Sequence, residues 1–233
     1  MIELLTFDLD NTLWETDSVV AAAERTLLDW LQQHAPLFGR LDAEARRAVR
    51  REVIEQHPEL RYRVTPLRIA ILQHGLLRAG YPEQDARELA LAGFQVFLDA
   101  RHQLELFPHA EQLLRQLSRH YLLASISNGN ADVRRLGLDH YFKAIVSADE
   151  VGVGKPHPQP FLTALQALGV EPEHALHIGD HPEDDMHGAR QVGMHTLWFN
   201  GQGKPWPEQP RPDGEVRCLS EVEDWLEQYQ NRR

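Results

Sequence analysis

Two aspartates, Asp8 and Asp10, stand two positions apart in the stretch TFDLDNTLW, behind the apolar run Ile2, Leu4, Leu5 and Phe7. Such a run reads as a buried strand, here about residues 2–9, with Asn11 and Thr12 turning the chain at its end. Strand side chains alternate, so extension through Asp10 points both carboxylates to one side. Like charges so close repel, and burying one without a partner is costly. A hard divalent cation would relieve both problems, and all-oxygen donors favour magnesium. A pair of exposed turn acids fits this stretch equally well.

Three further polar groups follow short apolar runs. Ser127-Asn128-Gly129-Asn130 comes after residues 122–126. A hydroxyl and backbone N–H groups in a glycine turn suit phosphate oxygens, although Asn and Gly are also ordinary turn residues. Lys155-Pro156 lies in a loop between a strand and a helix, where most lysines are simply solvated. Gly179-Asp180 and Asp184-Asp185 follow residues 175–178. Acids also begin helices merely because they complement the helix dipole.

The elements that must position these groups come in two kinds. Strand patterns cover residues 2–9, 121–126, 144–146, 175–178 and 196–199, with a last one at 216–219. After Phe107 they alternate with helical patterns at 109–120, 130–136, 158–168 and 183–192. A closing helix follows the capping-box pair Ser220 and Glu223. Between Asp17 and Glu105 there is no strand pattern but four helical ones. Asp42 caps the second, which Pro58 ends; Thr65 is the expected N-cap of the third, with Pro66 in its first turn. Aromatics in this stretch read as bundle core. Alternation implies parallel strands with right-handed crossovers. The expected architecture is therefore α/β: a Rossmann-like parallel-sheet core from residues 1–14 and 106–233, with a helical-bundle cap, residues 15–105, inserted after the first strand. All four polar groups then converge on the carboxyl edge of one sheet, where open α/β sheets bind ligands. Carboxylates for a metal, a hydroxyl, backbone donors and one lysine suit phosphoryl transfer, which asks for charge stabilisation more than covalent work.

Composition narrows the partners. The 233 residues carry a formal net charge of −11, so no basic field attracts nucleic acid or an anionic membrane. Binding of an anionic substrate must come from local positive charge. The single cysteine, Cys218, excludes an internal disulfide and any paired-cysteine metal site. With no signal-peptide pattern and no long apolar run, the expectation is a cytoplasmic protein acting on a small phosphorylated metabolite.

In order and spacing, DLDNT at Asp8–Thr12, ISNGN at Ile126–Asn130, GKP at Gly154–Pro156 and HIGDHPEDD at His177–Asp185 resemble the four motifs of the haloacid dehalogenase superfamily of phosphohydrolases. The resemblance covers nearly the whole chain, including a helical insertion after the first motif. It implies Asp8 as the nucleophile that forms an aspartyl-phosphate, and Asp10 as the acid that protonates the leaving alcohol and then activates water. It implies Mg2+ held by Asp8, the Asp10 carbonyl and Asp180, with Ser127, the Asn128 backbone and Lys155 on the phosphoryl oxygens. Asp185 is expected to orient Lys155 or a metal-bound water, and Asp184 to face solvent. The family's dehalogenases lack an acid two residues after the nucleophile and need no metal, so Asp10 points to phosphate esters.

Within the superfamily, HPELRYRVTPLR, SISNGNADVRRLGLDHYF and LHIGDHPEDDMHGARQVGM are most similar to bacterial phosphatases acting on FMN and on the 5-amino-6-(5-phosphoribitylamino)uracil intermediate of riboflavin biosynthesis. The insert is expected to act as a lid, with Trp14, Tyr62, Arg63 and Arg68 as candidates for reading the leaving group. Trp14 and Tyr62 could stack on a flavin or pyrimidine ring. Other members of the superfamily remain alternatives: a phosphosugar-type phosphatase or mutase, or a non-catalytic regulator. Phosphonate hydrolases need a cap lysine, and no lysine precedes Lys143.

Overall fold

The computed structural model describes residues 1–207 and 210–232. The chain forms two compact units, Met1–Glu15 with Glu105–Arg233, and Thr16–Leu104.

The first unit is built on six parallel strands: β1 (Leu4–Phe7), β2 (Leu122–Ser127), β3 (Ala144–Ser147), β4 (Ala175–Gly179), β5 (His195–Phe199) and β6 (Gly214–Val216). Their order is β3-β2-β1-β4-β5-β6. The order reverses at β1, and that reversal opens a crevice at the carboxyl ends of β1 and its neighbours. β1 is buried along its whole length, as its apolar run demands. Leu4, Ala124, Ile126, Phe161 and Ala175 share one core cluster. Beyond β1 the chain folds back: the Asn11 N–H donates to the Trp14 carbonyl at 2.8 Å. Trp14 bridges antiparallel to Leu106, and the Phe107 N–H donates to the Leu13 carbonyl at 2.8 Å. The two ends of the insertion are thereby tied together.

The second unit is all helical: α1 (Asp17–His34), α2 (Ala43–Gln56), α3 (Val64–Ala79) and α4 (Glu83–Arg101). Its core gathers Ala23, Leu27 and Leu31 of α1 with Phe38, Leu72, Leu76, Phe94 and Phe97, so the aromatics fill the bundle as expected. Asp42 caps α2 by accepting from the Ala45 N–H at 2.7 Å.

Several boundaries differ from the sequence reading for local reasons. Residues 130–136 form no helix; Val133–Gly137 is a turn. The Asp132 carboxylate takes the Arg134 N–H at 2.9 Å, the local competition that keeps Asp out of helices. Thr65 is not an N-cap, because α3 already begins at Val64. The closing cap sits two residues earlier than Ser220–Glu223: Glu221 accepts from the Arg217 and Cys218 N–H groups. The helix expected over 183–192 is a π-turn at Pro182–His187 followed by a short α-helix at Gly188–Gln191. π-turns of this kind often accompany functional sites. The remaining helices of this unit include Ala110–Leu117, Pro158–Leu168 and Val222–Asn231.

Candidate active site

Asp8 follows β1 at the strand reversal and is 6% exposed, a costly place for a carboxylate. Its environment compensates on both oxygens. One accepts from the Lys155 ammonium at 2.7 Å; the other accepts from the Thr12 hydroxyl at 2.9 Å. Lys155 also reaches Asp185 at 2.5 Å, so a single buried ammonium bridges two buried carboxylates. Asn128 fixes that lysine through its main chain. Its side-chain oxygen accepts from the Lys155 N–H at 2.7 Å, and its amide donates to the Lys155 carbonyl at 2.9 Å.

Behind Asp185 the bonding continues into the sheet. His177 Nε2 lies 3.1 Å from Asp185, and Nδ1 lies 2.8 Å from the Thr6 hydroxyl. Burial pushes the His177 imidazole below its usual range, so it is neutral at pH 7. Asp185 only accepts, which assigns the proton to Nε2 and leaves Nδ1 to accept from Thr6. Thr6 and His177 are register partners on β1 and β4. The second Asp185 oxygen takes the His181 N–H at 2.9 Å.

These contacts separate the acids. Burial lifts the Asp8 carboxyl well above the usual range; Lys155 opposes the rise, and Asp185 and Asp180 add to it. Burial also acts against ionisation of Asp185, but Lys155 and His177 win and hold it well below that range. Burial works against the Lys155 ammonium, yet Asp185 and Asp8 prevail and raise its pKa. Asp180, after β4, is pushed up to about 6 by burial, with Asp185 adding to the rise. Oxygens of Asp8, Asp180 and Asp185 all lie within 4.8 Å of one another.

Asp10 belongs to a different environment. Its carboxylate is outside that trio and accepts from the Trp14 indole N–H at 2.8 Å. A Cβ on Gly129 would lie 2.1 Å from the other Asp10 oxygen, so the glycine in SNGN makes room for Asp10 as well as turning the chain. Gly179 does the same for Asp185, whose carboxyl carbon would be 2.4 Å away. Ser127 is buried, its hydroxyl accepting from the Gly129 N–H at 3.0 Å.

Two expectations are corrected. Trp14 offers no ring for stacking: it is fully buried, and its polar edge holds Asp10. Asp184 does not simply face solvent; it is half-buried, with the Asn128 amide 3.5 Å away. Asn128 has a further part beside the one expected of its backbone: its side chain braces Lys155. Asp8, Ser127, Asn128, Lys155, Asp180 and Asp185 do come together in the sheet unit. Tyr62 lies in the helical unit, 49% exposed, with the Arg61 guanidinium 5.9 Å from its ring centre. Arg63 lies at the head of α3. Arg68 is engaged inside that unit, paired with Glu24 and stacked 3.8 Å over Phe97. The sequence reading missed the parts played by Thr6, Thr12 and His177. A histidine inside the apolar strand ALHIG was the available signal.

An acid trio, two of its members buried, beside a lysine at the reversal point of a parallel sheet with a helical insertion after β1 defines a class of hydrolase. The haloacid dehalogenase-like hydrolase family matches residues 2–193, and the chain belongs to it. The fold and acid cluster are those of its phosphatase enzymes. The crystal structure of a 2-haloacid dehalogenase from Pseudomonas syringae pv. Tomato is 43% identical, with a TM-score of 0.96, covering 98% of this chain and 100% of that one. The 5-amino-6-(5-phospho-D-ribitylamino)uracil phosphatase of Escherichia coli is 29% identical over 225 residues, 95% of this chain and 94% of its own. A phosphoserine phosphatase of Thermus thermophilus is 37% identical over 163 residues, 67% of this chain and 64% of its own.

Proposed function

We propose that the protein is a magnesium-dependent hydrolase of small phosphate monoesters that works through an aspartyl-phosphate on Asp8. The observation that carries this reading is the contrast between the two acids of DLD. Asp8 is clamped between Thr12 and Lys155 in the buried cluster, whereas Asp10 is held apart by Trp14. One carboxylate is fixed for attack, the other positioned to carry a proton.

The donor set fits a divalent cation. Asp8, Asp180 and Asp185 ionised bring three negative charges, Lys155 returns one positive, and two negative charges remain for the cation to balance. All donors are oxygens, which suits Mg2+. Asp8 and Asp180 would hold the ion, with the Asp10 carbonyl. When bound, it neutralises charge on the phosphoryl oxygens. The remaining work belongs to the chain. Asp8 attacks phosphorus in line while Asp10 gives its proton to the departing alcohol. Asp10 then takes a proton from water, which cleaves the acyl-phosphate and restores Asp8. Ser127 and Lys155 bind the phosphoryl oxygens. Asp185, His177 and Thr6 keep Lys155 aimed, and Asn128 keeps its backbone in place.

The test measures phosphate release with Mg2+ on a panel of phosphorylated metabolites. Asp8→Asn should lose roughly 10^4-fold or more of kcat while keeping the fold, and EDTA should stop the wild type. Sustained turnover in either case sinks the mechanism. 5-amino-6-(5-phosphoribitylamino)uracil is the substrate we favour, because of the relative that spans nearly the whole chain, with FMN beside it on the sequence resemblance alone; turnover of sugar phosphates alone would favour the phosphosugar reading. Hydrolytic dehalogenation is the second reading, supported by the 43% identical structure named for it. Asp10 and the trio of acids speak against it. Halide release from 2-chloropropionate, unaffected by EDTA, would reverse that judgement.

A further inference from the structure

We propose that the leaving group is read within the sheet unit itself, by a cavity beside Asp180 that takes its ring and favours rings bearing an anionic group. The proposal rests on the phosphatase reading and adds to it the class of ester. The cavity holds about 720 Å³, ample for a nucleotide-sized leaving group.

Every residue lining it belongs to the sheet unit, and it shares its rim with the catalytic residues. Asp180 and Asn11, the neighbour of Asp10, both line it. Two of its walls are fastened to the catalytic segments. Trp198 donates its indole N–H to the Asp180 carbonyl at 2.8 Å. Phe107 is bonded through its N–H to Leu13, within the turn that follows Asp10. The Phe107 and Phe199 rings stand 5.8 Å apart and tilted, and form an aromatic wall. A planar leaving group would pack against that wall with little ordering cost.

The charges lining the cavity differ in sign by location. Asp180 and Glu15 line it along with Asn11, while Lys204 and Arg217 come from the segments after β5 and β6. Lys204 has no carboxylate partner among the described residues. Its loop is nonetheless built: buried Asn200 accepts from the Lys204 N–H at 2.9 Å and donates to its carbonyl at 2.8 Å. This is the device by which Asn128 braces Lys155. Arg217 is exposed and only loosely paired, 3.8 Å from Glu215. In a chain of net charge −11, two cations gathered at one aromatic cavity match an anion carried by the ring.

Three probes share one leaving oxygen and differ stepwise: ribose 5-phosphate, uridine 5′-monophosphate, which adds a ring, and orotidine 5′-monophosphate, which adds a carboxylate to the ring. In the wild type, kcat/KM should rise along that series. In Lys204→Ala, the ratio of kcat/KM for orotidine 5′-monophosphate to that for uridine 5′-monophosphate should fall about fivefold, chiefly through KM, the effect of losing one exposed charge contact. Arg217→Ala should lower the same ratio. Phe107→Leu should lower the ratio of uridine 5′-monophosphate to ribose 5-phosphate and leave the carboxylate preference in place. Both cations lie on the surface, so these variants keep the fold. Unchanged ratios in enzymes that still hydrolyse the probes would overturn the cavity assignment and leave the phosphatase reading intact. No hydrolysis of any probe or metabolite by the wild type would overturn both.

Discussion

The two units of this chain bury different things. In the sheet unit the buried residues include Thr6, Asp8, Thr12, Ser125, Ser127, Lys155, His177, Asp185, Thr196 and Asn200; in the helical unit the one buried charged side chain described is Arg101. The charge balance differs as well. Residues 16–104 hold twelve arginines, no lysine and twelve acids, so the whole net charge of −11 belongs to the sheet unit. The helical unit folds chiefly on apolar packing and, Arg101 and the half-buried Arg68 apart, carries its charges outside. The sheet unit accepts the cost of buried polar groups where the chemistry is, and around Asp8 it offsets that cost by pairing them with one another; the Ser125 hydroxyl, away from that cluster, has no partner among the described residues.

If that contrast is right, the largest effect should follow removal of the bridging ammonium. Lys155→Ala leaves two buried carboxylates facing each other, and should cost ~3–5 kcal/mol of metal-free stability together with roughly 10^2-fold or more in kcat. Urea unfolding and steady-state kinetics report these separately. A smaller loss in the Lys155→Ala, Asp185→Asn double variant than in Lys155→Ala would confirm that the damage is electrostatic.

In the helical unit the corresponding blow is a cavity. Leu76→Ala, at a fully buried position of its core, should cost ~2–4 kcal/mol by the same urea measurement. Unlike the lysine change, it should leave the pH dependence of metal-free stability unaltered.

The third test uses that pH dependence. Asp180 has its pKa raised in the folded state to about 6. The folded state therefore holds this proton more tightly than the unfolded chain does. Stability from this source is full below about pH 4 and lost as pH rises through about 6. With EDTA present, the protein should lose on the order of 2 kcal/mol between those limits, and Mg2+ should restore it at neutral pH. Asp8, shifted the same way, adds to the loss. A metal-free protein equally stable at pH 4 and pH 7 would contradict the buried-acid account.

The smallest effect belongs to the helical surface. Glu44→Ala breaks exposed pairs with Arg47 and Arg51 and should leave the midpoint of urea unfolding essentially where it is in the wild type.

The same contrast governs how much was legible in the sequence. Asp8, Ser127, Lys155 and Asp180 could be gathered at one edge because each follows an apolar strand, and parallel alternation sends all those strand ends to one side. The links among them were not legible. Thr6 meets His177 because β1 and β4 are neighbours in register, and strand order is not written in any local pattern. Trp14 looked like a stacking surface because its type suits one; only its placement, fully buried and bonded to Asp10, gives it another task. The π-turn at Pro182–His187 was likewise hidden, since its acids fit the start of an ordinary helix. In the helical unit four helices and their aromatic core followed from period alone, because apolar residues dominate what is buried there.

The bridge between Trp14 and Leu106 has a bearing on how such a chain changes over time. The insertion leaves and re-enters the sheet at one point, so to the sheet it is a closed loop whatever its contents. The entropy of closing a loop grows only with the logarithm of its length: replacing the 89 residues from Thr16 to Leu104 with five would alter that cost by ~2–3 kcal/mol. A segment so attached can be lengthened, shortened or exchanged with little demand on the strands, so the residues around Asp8 can keep their places while the inserted sequence drifts.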